Sequence, residues 1–255
     1  MKTPKINILT YHSISEGIEP TCTSHKIFRQ QLDILEACEY KAIPLSELPG
    51  RIVGRNHSPA RLVVITFDDG YADFATTAFP ELRARGWSAT VFLPAAKIGG
   101  VNDWDLIRGR ARQIPLMAWD TVSELGHQGI ELGSHAMSHN HLTRLSHQAA
   151  CEEIANSRRL IETITGCSVT SFAAPYGATN SKLREEIKKS YRLAVNTRLA
   201  IARPDSDPYN LPRIDMCYFR NTRRWREYLE QGSTSYFRLR KALRTVRVIA
   251  TADWR

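Results

Sequence analysis

Asp68-Asp69-Gly70 closes Arg61–Phe67 (RLVVITF), an apolar, β-branched run. Two adjacent carboxylates leaving a buried segment repel each other and lose hydration, so a cation or a proton must relieve them. The alternative is a tight turn, which Asp-Gly commonly makes. Further along, Ser134-His135-Ala136-Met137-Ser138-His139 sets two imidazoles four residues apart. On a helical turn that spacing puts both rings on one face, where their nitrogens can share one ion. Alone, the pair is explained more often by surface histidines. Joined to a strand-end carboxylate, it makes a set of two His and one Asp that leaves a coordination position for water or substrate. His141 lies two past His139, would point elsewhere on a helix, and reads as structural or surface. Ala173-Ala174-Pro175-Tyr176-Gly177 is either a simple turn or a strand end that bares a backbone N–H, with Tyr176 as a wall.

These groups can act together only if the fold delivers them to one place. Strands are expected at Ile6–Tyr11, Arg61–Phe67, Ser88–Leu93, Ile130–Gly133, Val169–Ala174 and Leu193–Asn196. Helices are expected at Lys26–Glu39, capped by Thr23 or Ser24, through Phe79–Arg85 to Gly86, at Trp119–His127, at Ser146–Thr165 with Gly166 as its stop, and near Ser181–Ser190. This alternation predicts parallel β/α units with helices covering a sheet or barrel. In a β/α barrel, chemistry sits where strands end and loops begin, which singles out His12, Asp68, Asp69, His135 and Tyr176. Residues 98–118, with Gly99-Gly100 and Trp104-Asp105, read as an inserted loop of functional length. After Asn210 the strand pattern is expected to give way to Arg-rich helices. The reading is one barrel domain over residues 1–214, with a basic helical extension over 215–255.

Composition bounds the remaining classes. The chain has 255 residues, 42% hydrophobic and 24% charged, which is enough apolar material for a core and excludes a disordered linker. No apolar run approaches the roughly 18 residues a membrane span needs. Met1–Ser15 carries two lysines without an apolar stretch or a small-residue cleavage site, so a cytoplasmic location is expected. The net charge is +9, but residues 213–255 alone hold 11 basic and 4 acidic residues. The rest is near neutral, which argues against a nucleic-acid partner. Tyr236–Arg247 has Phe237, Leu239, Leu243 and Val246 among its cations, so peripheral contact with the inner face of a membrane is one expectation and a solvated helix the other. Five cysteines with no C-x-x-C pair exclude a disulfide framework and a zinc knuckle, and fit reduced thiols.

Thr66-Phe67-Asp68-Asp69-Gly70, the His135/His139 pair and Pro175-Tyr176-Gly177, in that order, resemble the polysaccharide deacetylase family (NodB-homology domain, carbohydrate esterase family 4) over about residues 6–214. The resemblance implies a distorted (β/α)7 barrel and hydrolysis of an N-acetyl or O-acetyl group of a carbohydrate, assisted by a divalent metal ion. Zinc is usual, and the ligand set leaves cobalt, nickel and manganese open. Residue by residue, Asp68 matches the general base, while Asp69, His135 and His139 match the metal ligands. Tyr176, after the motif's Pro175, matches the position whose backbone N–H helps hold the oxyanion. Two departures stand out. Many members carry Arg two residues before the motif proline, where this chain has Ala173, and the usual C-terminal Leu-x-His is missing because no histidine follows His147. Leu9-Thr10-Tyr11-His12 resembles circularly permuted members, which makes His12 the expected acid. Leu211-Pro212-Arg213-Ile214 offers Arg213 as a replacement partner for Asp68, with a surface arginine as the rival reading. The expected substrate is a cytosolic or membrane-associated saccharide or its precursor. The alternatives are an amidohydrolase of a non-sugar C–N bond and a non-catalytic carbohydrate-binding protein.

Overall fold

Parallel pairing dominates the sheet. A computed structural model describes residues 6–17, 21–49, 61–106, 113–232, 235–237 and 239–240. Its strands are β1 (Asn7–Tyr11), β2 (Tyr40–Ile43), β3 (Arg61–Phe67), β4 (Thr90–Leu93), β5 (Glu131–Ser134), β6 (Ser171–Ala173), β7 (Leu193–Leu199) and β8 (Leu211–Asp215). β1 pairs with β8 on one edge and with β3 on the other, so seven strands close into the ring β1-β3-β4-β5-β6-β7-β8. β2 stands outside that ring. Val63 and Val64 already pair with β1, so Ala42 and Ile43 must lie on the far edge of β3. There β2 takes the first half of β3 and β4 takes the second, through Thr66↔Thr90 and Phe67↔Val91. The fold is the expected distorted seven-stranded β/α barrel in a single domain.

The covering helices are α1 (His25–Ala37), α2 (Phe79–Ala84), α3 (Trp119–His127), α4 (His147–Thr165), α5 (Ser181–Ser190) and α6 (Thr222–Gln231). Ser24, not Thr23, caps α1 by accepting from the Ile27 N–H. Ser146 caps α4 in the same way, and Gly166 ends it at φ 68°. Strand periodicity sorts the core into two faces. Leu9, Ile65, Val91, Leu132 and Phe172 cluster with helix residues such as Phe28, Leu32, Ile154 and Ile161. Ile8, Val64, Phe92, Ala173, Val195 and Leu211 form the separate cluster that fills the lumen. The same alternation sends Thr66, Asp68 and Arg213 toward the lumen.

Two sequence expectations need correction. Strand structure does not stop at Asn210, because β8 follows at once and closes the barrel against β1. Its proline at position 212 and its charges at 213 and 215 mask the apolar pattern. β2 is also absent from the expected list, since its four residues include exposed Lys41 and half-buried Tyr40. Arg-rich helix does come next, as expected, and α6 is docked against α1. Trp225 is fully buried and its indole N–H donates to the Gln31 carbonyl of α1 at 3.2 Å. Beyond it, Phe237 packs against Phe219 and Tyr228, while Leu239 is exposed. Leu243 and Val246, on which the membrane expectation also rested, lie outside the described residues. No helix among the described residues is long and apolar enough to cross a membrane.

Candidate active site

The C-terminal ends of β1, β3, β5, β6 and β8 bring every residue singled out by the sequence to one mouth of the barrel. β3 delivers Asp68 and Asp69. The Asp68 N–H donates to the Tyr11 carbonyl at 3.0 Å, which extends the β1–β3 ladder by one step. Asp69 and Gly70 then turn left-handed, at φ 75° and 68°. This turn reverses the carboxylates into different roles: Asp68 continues the lumen-facing register, and Asp69 leaves it toward β5.

The Asp69 Oδ1 atom lies 3.3 Å from His135 Nε2 and 3.1 Å from His139 Nε2. All three side chains are buried, and one ligand atom from each falls within 4.8 Å of the others. Although both imidazoles approach it, Oδ1 makes no hydrogen bond of good geometry. A buried carboxylate oxygen so placed is what a cation between the three groups would satisfy. The Nδ1–H of His135 donates to the Ala173 carbonyl at 2.7 Å, which fixes the tautomer and leaves Nε2 as a lone-pair donor. The residues present therefore fit a divalent ion.

The helical turn expected for His135–His139 is not formed; the segment is an irregular loop after β5. Ala136 and His139 adopt φ 61° and 59° to swing both rings onto Asp69. Of the five described non-glycine residues with positive φ, four are Asp69, Ala136, His139 and Tyr176. Such backbone persists only where surroundings impose it, and here it marks the site. Glu153 of α4 supplies the restraint. Its carboxylate accepts from the N–H groups of Met137 and Ser138, each at 2.9 Å, and from the Ser138 hydroxyl. Nothing in the spacing of Glu153 announces that role.

Arg213 reaches the same point from β8. Its Nη1 donates to Asp68 Oδ1 at 2.6 Å and its Nη2 to Oδ2 at 2.7 Å, a bidentate fork. Nε donates to the Asn196 carbonyl at 3.0 Å and Nη1 also reaches the Thr66 hydroxyl. Arg213 is thus no surface arginine. Burial alone would raise the Asp68 carboxyl; the charge and hydrogen bonds of Arg213 outweigh it, with help from His135 and His12, and hold it below its usual value. Asp69 is likewise held well below its usual value despite burial, chiefly by the charge of His139 and by the close approach of both imidazoles.

His12 follows β1 with its Nε2 3.9 Å from Asp68 Oδ2, and a fifth of its side chain faces solvent. Asp73 fixes the segment after it, accepting from the Ser13 hydroxyl and from the Ile14 N–H. Pro175 is buried and Tyr176 is 39% exposed, in the helical turn that follows β6. The Tyr176 ring stands edge-on to His139 at 4.9 Å and parallel to His141 at 5.7 Å. His141 therefore belongs to the rim of this mouth. The inserted loop also contributes. It is tied down by the Met117 N–H donating to the Gly70 carbonyl, and its Trp104 stacks on His139 with centroids 4.2 Å apart.

A family described as polysaccharide deacetylase matches residues 55–192, more than half of the chain. YxkH of Bacillus subtilis is 28% identical over 214 residues, spanning 84% of this chain and 72% of that protein. The poly-beta-1,6-N-acetyl-D-glucosamine N-deacetylase of Staphylococcus epidermidis is 26% identical over 220 residues, spanning 84% and 74%. Among solved structures, IcaB from Ammonifex degensii superposes with a TM-score of 0.73 at 22% identity, over 89% of this chain and 98% of that one. The deacetylase PplD of Streptococcus pyogenes, solved with acetate, gives 0.70 at 24%, over 84% and 93%. At these identities the two structures speak for the barrel alone.

Proposed function

This chain belongs to the polysaccharide deacetylase family, and on that premise we propose that it removes an N-acetyl group from a hexosamine residue of a saccharide, with a divalent ion held by Asp69, His135 and His139. It is a hydrolase of carbon–nitrogen bonds other than peptide bonds. The observation that carries the reading is the convergence of Asp69 Oδ1 with the Nε2 atoms of both histidines. The named activity of the Staphylococcus epidermidis relative supports an N-acetylated hexosamine as substrate.

When bound, the ion would supply Lewis acidity, lowering the pKa of a water molecule toward about 7 and polarising an acyl carbonyl. Asp68, ionised at neutral pH and one residue from the ligand Asp69, takes the proton of the attacking water on a carboxylate oxygen. Arg213 keeps that carboxylate in one orientation. The Tyr176 backbone N–H donates to the oxyanion as it develops. His12, protonated, passes a proton from its ring to the departing amine, which would otherwise have to leave as an anion. The placement of His12 just after the first strand supports the circularly permuted arrangement. Arg213 and His12 stand in for the two absent motif groups, which takes away the ground for a non-catalytic binding protein.

The direct test is acetate release from an N-acetylglucosamine oligosaccharide, followed by mass spectrometry of the sugar product. A loss of one acetyl mass in the presence of a divalent ion, abolished by a chelator, is expected. An intact oligosaccharide under ion-loaded conditions would overturn the assignment.

A further inference from the structure

On the outer helical layer, His147 and Cys151 sit four residues apart in the first turns of α4 and share one face. Glu186 reaches them from the middle of α5. His147 Nε2 lies 3.7 Å from Cys151 Sγ and 3.8 Å from Glu186 Oε1, and one ligand atom from each residue falls within 4.8 Å of the others. We propose that these three side chains form a second cation site, selective for a thiophilic divalent ion such as Zn2+, which clips α4 to α5.

Imidazole, thiolate and carboxylate are donors that zinc takes together, and ligands about 2.0–2.3 Å from a tetrahedral ion lie roughly 3.3–3.8 Å apart. The two contacts to His147 fall within that spacing, so an ion can enter with small side-chain movement. α4 runs for 19 residues with a side-chain cap at Ser146, which presets two of the donors on a rigid element. The third comes from a different helix, so binding joins two elements otherwise packed by side-chain contact. One competitor is built in. Lys189 Nζ lies 2.8 and 2.9 Å from the two Glu186 oxygens and must swing aside, which its 68% exposed side chain permits. The fourth position faces solvent and is left to water.

The clip bears on the barrel mouth through α4 itself. Glu153, two residues past Cys151, is the carboxylate that restrains the loop between His135 and His139. An ion holding the start of α4 steadies the support from which those histidines are aimed.

The two sites differ in one readable respect: only the outer one contains sulfur. Cobalt(II) titrated into the full chain is expected to bind in two equivalents and to develop near-ultraviolet thiolate-to-cobalt charge-transfer absorption. Cys151→Ser should remove that absorption, which separates Cys151 from the other four cysteines, while Asp69→Asn should keep it. Lys189→Ala should tighten binding at this site by up to about fivefold, the worth of an exposed ion pair. Saturating zinc should raise the melting midpoint of Asp69→Asn and leave that of the Asp69→Asn/Cys151→Ser double variant unmoved. A single equivalent with no such absorption in the native sequence, or absorption that survives in Cys151→Ser, would overturn the proposal. Since none of these readouts is acetate release, either result leaves the deacetylase assignment standing on its own test.

Discussion

Arg213 grips Asp68 from across the barrel lumen, with Nη1 and Nη2 at 2.6 and 2.7 Å from the two carboxylate oxygens. Both residues are nearly inaccessible, at 3% and 4% exposure. The arginine stands on β8, while Ala173, where the family resemblance implies an arginine, stands on β6 two strands away. Both positions face the lumen, so the same carboxylate can be reached from either. The small Ala173 side chain and the lumen ring of Phe92, 5.7 Å from the guanidinium, leave Arg213 its path. Asp68 is thus gripped from β8 rather than from β6.

That exchange predicts a compensation. Arg213→Ala strands a buried carboxylate and should destabilise the fold by about 3–5 kcal/mol, with a matching loss of turnover. Adding Ala173→Arg returns a guanidinium to the lumen from β6 and should restore part of both. Urea unfolding and acetate release on the single and double variants decide it. A double variant no better than Arg213→Ala would show that β6 cannot supply the partner.

The two adjacent carboxylates should separate cleanly on mutation. Asp69→Asn removes a ligand atom and should weaken divalent-ion binding at the mouth. Asp68→Asn should leave that binding largely in place while turnover falls by about 10²–10⁴-fold. Isothermal titration with the ion and an acetate assay on both variants check the assignment, and loss of the ion in Asp68→Asn would mean that the two roles are exchanged.

Much of this site was legible before any coordinates. The RLVVITF run is strongly β-branched and leads straight into two carboxylates that cannot stay buried unpaired, so both its strand and its chemistry show in one dimension. Arg213 could be suspected, but its partner could not be established, because the contact spans a sequence separation of 145 residues and depends on which way β8 faces. The His135–His139 spacing suggested a helix, whereas the conformation is set by Glu153 and by left-handed backbone that no local propensity favours. β2 was invisible because its partner, not its own composition, holds it in the sheet. Trp104 could be placed in a functional loop but not over His139, since that stacking depends on where the insertion folds back.

Asp73 offers a pH-dependent signature away from the metal ligands. Burial raises its carboxyl above the usual value, against the lowering effect of hydrogen bonds from Ser13 and Ile14. The folded protein therefore holds this proton more tightly than the unfolded chain does. Its contribution to stability is fully present below the unfolded value and is lost as pH rises through the folded one. Asp73→Asn keeps an acceptor for the Ile14 N–H and cannot ionise. The variant should gain stability relative to the native sequence between about pH 4 and pH 7. Denaturant midpoints across that range measure it, and parallel curves would contradict the raised value.

Glu153 is a positioning residue with a measurable distance effect. Its carboxylate accepts from two backbone N–H groups between the histidine ligands. Glu153→Ala should loosen that loop and cut divalent-ion affinity at the mouth by about 10–100-fold, as loss of an outer hydrogen-bonding partner commonly does. Glu153→Gln retains an acceptor oxygen and should recover most of the affinity. Equal losses in the two variants would mean that the charge, and not the loop contact, is what matters.

His12 can be tested by changing the leaving group rather than only the enzyme. Its Nε2 lies 3.9 Å from Asp68 Oδ2 at the open side of the mouth, where a departing amine could collect a proton. An amine cannot leave as an anion, so His12→Ala should lower kcat on an N-acetylated saccharide by about 10²–10⁴-fold. An aryl acetate leaves as a stabilised phenolate and needs no proton, so the same variant should hydrolyse it within a few-fold of the native rate. Because His12 is partly exposed and follows the strand rather than filling the core, the fold should survive the change, which a thermal melt confirms independently. Equal rate losses on both substrates would assign His12 to binding or to orienting Asp68 instead, since only proton donation makes the penalty depend on the basicity of what departs.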